Sequence, residues 1–219
     1  ALMPLTAAFF NFLVPLQIGA RDVAFPRLNA LSFWIFFFGS IYLNISFLLA
    51  LVPGMGPQAP NGGWFAYPPV TIETYNPGLN MDFYVLGLQI IGLCSIIASL
   101  NFTITIINLR APGMRLMRMP IFTWMVLVTN VLIVTALAVF TIASTQLMFD
   151  RLFGTVFYDT VRSGADPLLW QHLFWMFGHP EVYILIVPIF GMVSEVLPTF
   201  SRKPLFGYNV MVFSGILIG

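Results

Sequence analysis

His179, Glu181 and Tyr183 fall within five positions of one apolar stretch, Trp175-Met176-Phe177-Gly178-His179-Pro180-Glu181-Val182-Tyr183. On a helix, positions four apart differ by roughly 40° around the axis, so His179 and Tyr183 share a face and can touch. Glu181 lies about 200° from His179, on the other side. The helix therefore offers an imidazole and a phenol to one neighbour and a carboxyl to another. A neutral imidazole binds copper, iron or zinc, and a phenol can release both a proton and an electron, so the pair suits a redox metal. An ionised carboxyl deep in an apolar helix costs at least about 2.5–3.5 kcal/mol. Glu181 is therefore expected as the neutral acid at rest, and an acid that is neutral by default but able to ionise is a proton-relay element. The structural alternative is a neutral Glu181 bonded to a backbone carbonyl, with His179 bonded to another helix. Pro180 has no N–H and leaves the Met176 carbonyl without its helical donor, which predicts a kink or a loosening. Gly178 permits a close approach. His172, about 10 Å along the axis, reads as interfacial rather than as a second ligand.

The elements that must position these residues are membrane helices. The chain is 59% hydrophobic and 8% charged over 219 residues, where a soluble domain carries roughly a quarter charged residues. A spanning helix needs about 20 apolar residues. Spans are predicted at about 1–20, 28–53, 83–109, 119–149, 168–199 and 204–219. The fold class is therefore all-α, a polytopic transmembrane helix bundle in one membrane domain, with no internal repeat. Both ends fall within apolar runs, so a partial sequence, truncated at both ends, is expected. Of the acids, Asp22, Glu73, Asp82, Asp150, Asp159 and Asp166 lie in loops or at span ends, and Glu195 can reach an interface; only Glu181 is deep. Loops 21–27, 110–118 and 200–203 hold Arg21, Arg27, Arg110, Arg115, Arg118, Arg202 and Lys203, whereas the alternate loops hold only Arg151 and Arg162. The positive-inside rule places the first set on the cytoplasmic side or its organellar equivalent. Loop 54–82, rich in Pro, Gly and aromatics, is expected to form ordered turns or a short lid, the alternative being that Trp64 and Tyr67 are interfacial anchors. A net charge of +1 gives no reason to expect a nucleic-acid partner, and the single cysteine, Cys94, excludes a disulfide within the chain.

The stretch around His179 resembles the signature of the haem–copper oxidases, in their large catalytic subunit. Further segments carry the same resemblance in order: Ile18-Gly19-Ala20-Arg21-Asp22-Val23-Ala24-Phe25-Pro26-Arg27-Leu28-Asn29, Arg110-Ala111-Pro112-Gly113-Met114, Phe149-Asp150-Arg151 to Gly154-Thr155, Asp166-Pro167, and Arg202-Lys203-Pro204 to Gly207-Tyr208. The resemblance covers nearly the whole chain. It implies a piece of a twelve-helix oxidase core running from the second helix to the seventh.

The resemblance also implies roles. His179 would be one of three histidine ligands of an active-site copper. Tyr183 would be joined covalently to it and supply an electron and a proton, and Trp175 would lie against the cofactors. Glu181 would be a branch point for protons arriving from Asp22 at a channel mouth. Asn11, Asn29 and Asn101 would line the path near its entrance, with Cys94 and Ser95 below Glu181. Ser194 would belong to a second path, toward Tyr183. Arg21, Ala30 and Cys94 depart from the usual pattern. The implied activity is that of a cytochrome c oxidase, reducing O₂ to water with proton pumping; a quinol oxidase is the alternative within the superfamily. The implied cofactors are copper and two haems of the a type. With two histidines in the chain, most of their ligands are expected outside residues 1–219. Subunits II and III, cytochrome c or quinol, O₂ and the lipid bilayer are the implied partners. A bacterial plasma membrane is expected rather than a mitochondrial inner membrane. A reading from a different class is a proton-coupled transporter built on Glu181, which would use broken helices and repeats.

Overall fold

A computed structural model describes residues 2–54, 58–160 and 164–219. Among the described residues six α-helices follow in order: α1 Leu2–Ile18, α2 Pro26–Leu48, α3 Asn80–Asn108, α4 Ile121–Phe153, α5 Pro167–Ser201 and α6 Tyr208–Ile218. Short 3₁₀ turns occupy Leu49–Leu51 and Leu116–Arg118, and no strand occurs among the described residues. Among the described residues four helical stretches, Pro26–Leu51, Asn80–Asn108, Ile121–Phe153 and Pro167–Ser201, are long and apolar enough to cross a membrane. The fold class expected from composition is what the structure contains.

The helix ends differ from the predicted spans for identifiable reasons. α1 stops at Ile18 because Gly19 takes a left-handed conformation (φ 75°). Gly19 N–H then donates to Leu16 O and Ala20 N–H to Pro15 O, the paired bonds of a Schellman cap. α2 begins at Pro26, whose missing N–H is harmless in a first turn. α4 begins at Ile121, after the 3₁₀ turn and Pro120, and runs past Asp150 to Phe153. The charges at Asp150 and Arg151 suggest a helix end, but both side chains are buried and bonded, so they do not end it. α6 begins only at Tyr208, after Gly207 at φ 63°. α5 continues as one helix through Pro180, Pro188 and Pro198.

The chain packs as two compact units, and α2 to α5 contribute residues to both. The first comprises Ala1–Ala30, Ile96–Thr135 and His179–Gly219. Its core joins Phe10, Val14, Ile18, Val23, Phe102, Ile106, Met119, Phe122 and Val126, with Phe10 edge-on to Phe102 at 5.8 Å and to Phe122 at 6.1 Å between centroids. A second cluster, Ile121, Met125, Val187 and Val212, ties α4 to α5 and α6. Gly191 lets these backbones close up: a Cβ there would lie 2.8 Å from Phe122 Cα. A polar joint completes the unit. Glu195 Oε1 accepts from Phe122 N–H at 2.8 Å, Gln17 Nε2 donates to Glu195 Oε2 at 2.6 Å, and Thr123 Oγ1 donates to Gln17 Oε1 at 2.6 Å. Glu195 thereby caps α4, where Pro120 has no side-chain acceptor to offer.

The second unit comprises Leu31–Ser95 and Ala136–Gly178. Close contacts at Gly39 with Ile90 and at Gly87 with Leu43 bring α2 against α3, and Tyr42 stacks on Phe83 at 4.4 Å. Gln89 donates to Ser144 and Thr145 across α3 and α4. The described part of loop 54–82 is ordered, with Ala66, Thr71, Ile72 and Asn76 buried. Arg151 organises it. Its Nε lies 2.5 Å from Asp82 Oδ1, Nη1 donates to Thr71 O and Asn76 O, and Nη2 donates to Gly78 O and Asp82 Oδ2. Asp150 accepts from Thr155 Oγ1, Phe157 N–H and Tyr158 N–H, closing the turn after α4. Burial pushes the Tyr158 phenol well above its ordinary range, and the adjacent Asp150 charge pushes the same way. Arg151, counted among the loop charges by sequence, is thus an internal ion-pair partner, and Arg162 lies outside the described residues.

Candidate functional site

α5 presents its three chemical side chains as helical spacing requires. The His179 and Tyr183 rings meet edge to face, 4.6 Å between centroids and 73° between planes. His179 is exposed in this chain and Tyr183 is half-buried. Glu181 is half-buried on the other side of the helix, and no described residue bonds to its carboxyl.

The close approach at Gly178 comes from its own helix. A Cβ on Gly178 would lie 2.6 Å from Trp175 Cε3, so the indole lies over the glycine. Trp175 Nε1 donates to the Tyr67 hydroxyl, and the ring stands perpendicular to Trp64 at 5.6 Å. The aromatic loop therefore fixes Trp175, a role for Tyr67 that sequence reasoning missed. The signal was the Trp-and-Tyr pair in a Pro- and Gly-rich loop. His172 is exposed on α5, seven residues before His179.

The residues expected along proton paths divide into local groups. Asn29 Nδ2 donates to Asn11 Oδ1 at 2.6 Å, so these two are joined directly. Asn101 is buried and bonds to the backbone of Phe25 at both ends of its amide. Asp22 is exposed, with Oδ1 accepting from Val23 N–H at 2.7 Å. Cys94 Sγ and Ser95 Oγ both donate to Ile91 O, at 2.9 and 3.0 Å. Ser194 is buried, lining an apolar groove with Met125, Phe190, Met211 and Ser214. Gln17, Thr105 and Thr123 were not anticipated; each is a neutral polar side chain within an apolar helix, which was the available clue.

Among the described residues, no three His, Cys, Asp or Glu side chains gather in a way that would hold a metal. His179 is the single imidazole placed beside a phenol, and it suits one position in a larger ligand set. The family profile described as "Cytochrome C and Quinol oxidase polypeptide I" matches residues 1–219. The chain belongs to this family.

Among its relatives, cytochrome c oxidase subunit 1 of Bacillus subtilis (strain 168) is 53% identical over 219 residues, covering 100% of this chain and 34% of the relative. The subunit of the same name from Bacillus sp. (strain PS3) is 52% identical over 218 residues, covering 100% and 34%. Quinol oxidase subunit 1 of Bacillus subtilis (strain 168) is 50% identical over 216 residues, covering 99% and 32%. The chain thus spans about a third of the length of the oxidase subunits it matches. Haem and copper are implied by the oxidase family in general, and His179 with Tyr183 is the part of this chain whose donor chemistry fits them.

Proposed function

We propose that this chain is part of the catalytic subunit of a respiratory terminal oxidase, which reduces O₂ to water and moves protons across the membrane. The observation that carries the reading is the His179–Tyr183 ring contact on α5, with an unbonded Glu181 on the opposite face. His179 would hold copper as one ligand among several, the others coming from the rest of the protein. The bound copper and haems supply O₂ binding and electron delivery. Tyr183, in edge contact with the imidazole, would give a proton and an electron there, and the covalent link that the family resemblance implies would join these two rings. Trp175, four residues before His179 on α5, would lie against the cofactors, as the family resemblance implies.

Glu181 is the proton carrier in this reading. A carboxyl without a fixed partner can turn between a donor below and an acceptor above, which a carboxyl locked to a carbonyl cannot. Asp22, exposed in the Arg-rich loop, is the uptake site, and the bonded pair Asn11–Asn29 joins the helices on either side of that loop. Cys94 and Ser95 would serve the approach to Glu181, and Ser194 a second path toward Tyr183.

Cytochrome c is the proposed electron donor. The relatives include both cytochrome c and quinol oxidase subunits at similar identity, so quinol is the second reading. Subunits II and III are the proposed partners, and a bacterial plasma membrane the location, since the relatives named are bacterial. The decisive experiment is metal analysis of the complete oxidase carrying His179→Ala. Copper should be lost while both haems stay bound; stoichiometric copper in the variant removes His179 from the ligand set.

A further inference from the structure

We propose that Asn101 and Thr105 of α3 form a clamp on loop 19–25 that fixes the position of Asp22, and that Asn101 is a positioning residue rather than a carrier of protons. The inference rests on reading Asp22 as the uptake site.

The loop between α1 and α2 has no regular structure of its own, so its backbone donors and acceptors need partners elsewhere. α3 supplies them in register. Asn101 Oδ1 accepts from Phe25 N–H at 2.9 Å, and Asn101 Nδ2 donates to Phe25 O at 3.1 Å. One helical turn on, Thr105 Oγ1 accepts from Ala24 N–H at 2.8 Å and donates to Asn101 O at 2.7 Å. Two successive loop amides thus meet two side chains spaced four residues apart on one helix face. Asn101 and Thr105 are 1% and 0% exposed, so neither bond competes with bulk water. Phe25 is also the residue whose carbonyl accepts the first bond of α2, from Asn29 N–H at 3.0 Å. Asn101 therefore holds the start of α2 as well as the end of the loop.

The remainder of the loop is fixed in the same way. Val23 is buried among Phe102, Ile106 and their neighbours. At the other end Ala111 N–H donates to Ile18 O at 2.8 Å, and Gly19 lies against Ala111, where an added Cβ would come within 3.1 Å of the alanine methyl. Arg21 and Asp22 are left exposed between two anchored ends. A carboxylate held at a constant place on a rigid loop can pass a proton inward repeatedly without a search. Asn101 commits its amide oxygen and one amide hydrogen to one residue's backbone, and its amide holds no titratable proton, so what it contributes is the place of the loop.

The test uses the complete oxidase in nanodiscs, with Thr105→Val, Thr105→Ser, Asn101→Asp and Asp22→Asn. Amide hydrogen exchange of the segment 19–25 is read by mass spectrometry, and proton uptake is read during turnover. Thr105→Val should raise exchange at Ala24 about 5- to 10-fold, as expected for one lost internal hydrogen bond, and slow uptake several-fold. Thr105→Ser should restore both. Unchanged exchange in Thr105→Val overturns the clamp. Uptake lost in Asn101→Asp with exchange at the wild-type level overturns the positioning role and makes Asn101 a carrier. If Asp22→Asn leaves uptake untouched, the uptake-site reading fails, while exchange in the Thr105 variants still decides the clamp. Should Thr105→Val not assemble, Thr105→Ala removes the same acceptor without added bulk and is judged by the same criteria.

Discussion

Asp82→Asn and Arg151→Met should be among the most destabilising substitutions outside the α5 site. The Arg151 side chain is 2% exposed and that of Asp82 13%. The guanidinium makes five contacts, to Asp82 Oδ1 and Oδ2 and to the carbonyls of Thr71, Asn76 and Gly78. Removing one partner of a buried pair costs about 3–5 kcal/mol because a charge is left without compensation. Asp82→Asn keeps the three carbonyl bonds, so the low end, about 3 kcal/mol, applies. Arg151→Met also strands three buried carbonyls at about 1–3 kcal/mol each before relaxation, which puts it above the roughly 4–5 kcal/mol that marks exceptional substitutions. Arg151→Lys keeps the charge but has three donors for five contacts, and should fall between. The double variant should be less damaging than the sum by about 2 kcal/mol, since the pair acts as a unit. The assay is the heat-inactivation half-life of the purified complete oxidase at a fixed temperature. A loss of about 3 kcal/mol shortens it by roughly 100-fold if the pair is broken in the unfolding transition state. Asp82→Asn within about twofold of wild type, with Arg151→Met no worse than Arg151→Lys, would refute the reasoning.

Glu181→Gln should stop proton-coupled O₂ reduction while haem and copper remain bound; O₂ reduction near the wild-type rate dismisses the relay role. Glu195→Ala should lower thermal stability by about 1–2 kcal/mol through loss of the α4 cap, and Glu195→Gln, which retains an acceptor, by clearly less. Equal losses in the two would show that the cap bond is not what Glu195 contributes. Peptides spanning His179 to Tyr183 from the assembled oxidase should lack the mass of two hydrogens, the signature of a bond between the rings; an ordinary mass sinks the cross-link.

The all-α membrane class was legible because it depends on composition and run length alone. The His179–Tyr183 contact was legible too, because four-residue spacing fixes a shared face whatever the tertiary context. Helix ends were less so. Asp150 and Arg151 look like a boundary in sequence, and only the carbonyls and carboxylate gathered around Arg151 allow α4 to continue. The partner of Trp175 was hidden for a related reason: Tyr67 lies 108 residues away, and nothing local encodes that bond. Asn101 was recognised as significant by resemblance, yet its contact with Phe25 spans 76 residues and appears only in the fold. Glu195 looked interfacial because a carboxylate near a helix end usually is, whereas here it answers an N–H on another helix.

That last bond has a consequence for how the chain is made. The first turn of α4 leaves the ribosome 73 residues before its cap exists, and the Gln17 that braces the cap is older still, 178 residues ahead of Glu195. Until the far end of α5 is translated, Phe122 N–H lacks its acceptor, and Gln17 has only Thr123 of α4 to hold it. Ribosome-bound chains halted before residue 195 should therefore leave the 110–120 loop open to protease, and chains halted well beyond it should protect that loop; equal cleavage in both would rule this out. Synthesis of the segment thus includes a late locking step, in which one carboxylate on α5 fastens two helices, α1 and α4, that were inserted earlier.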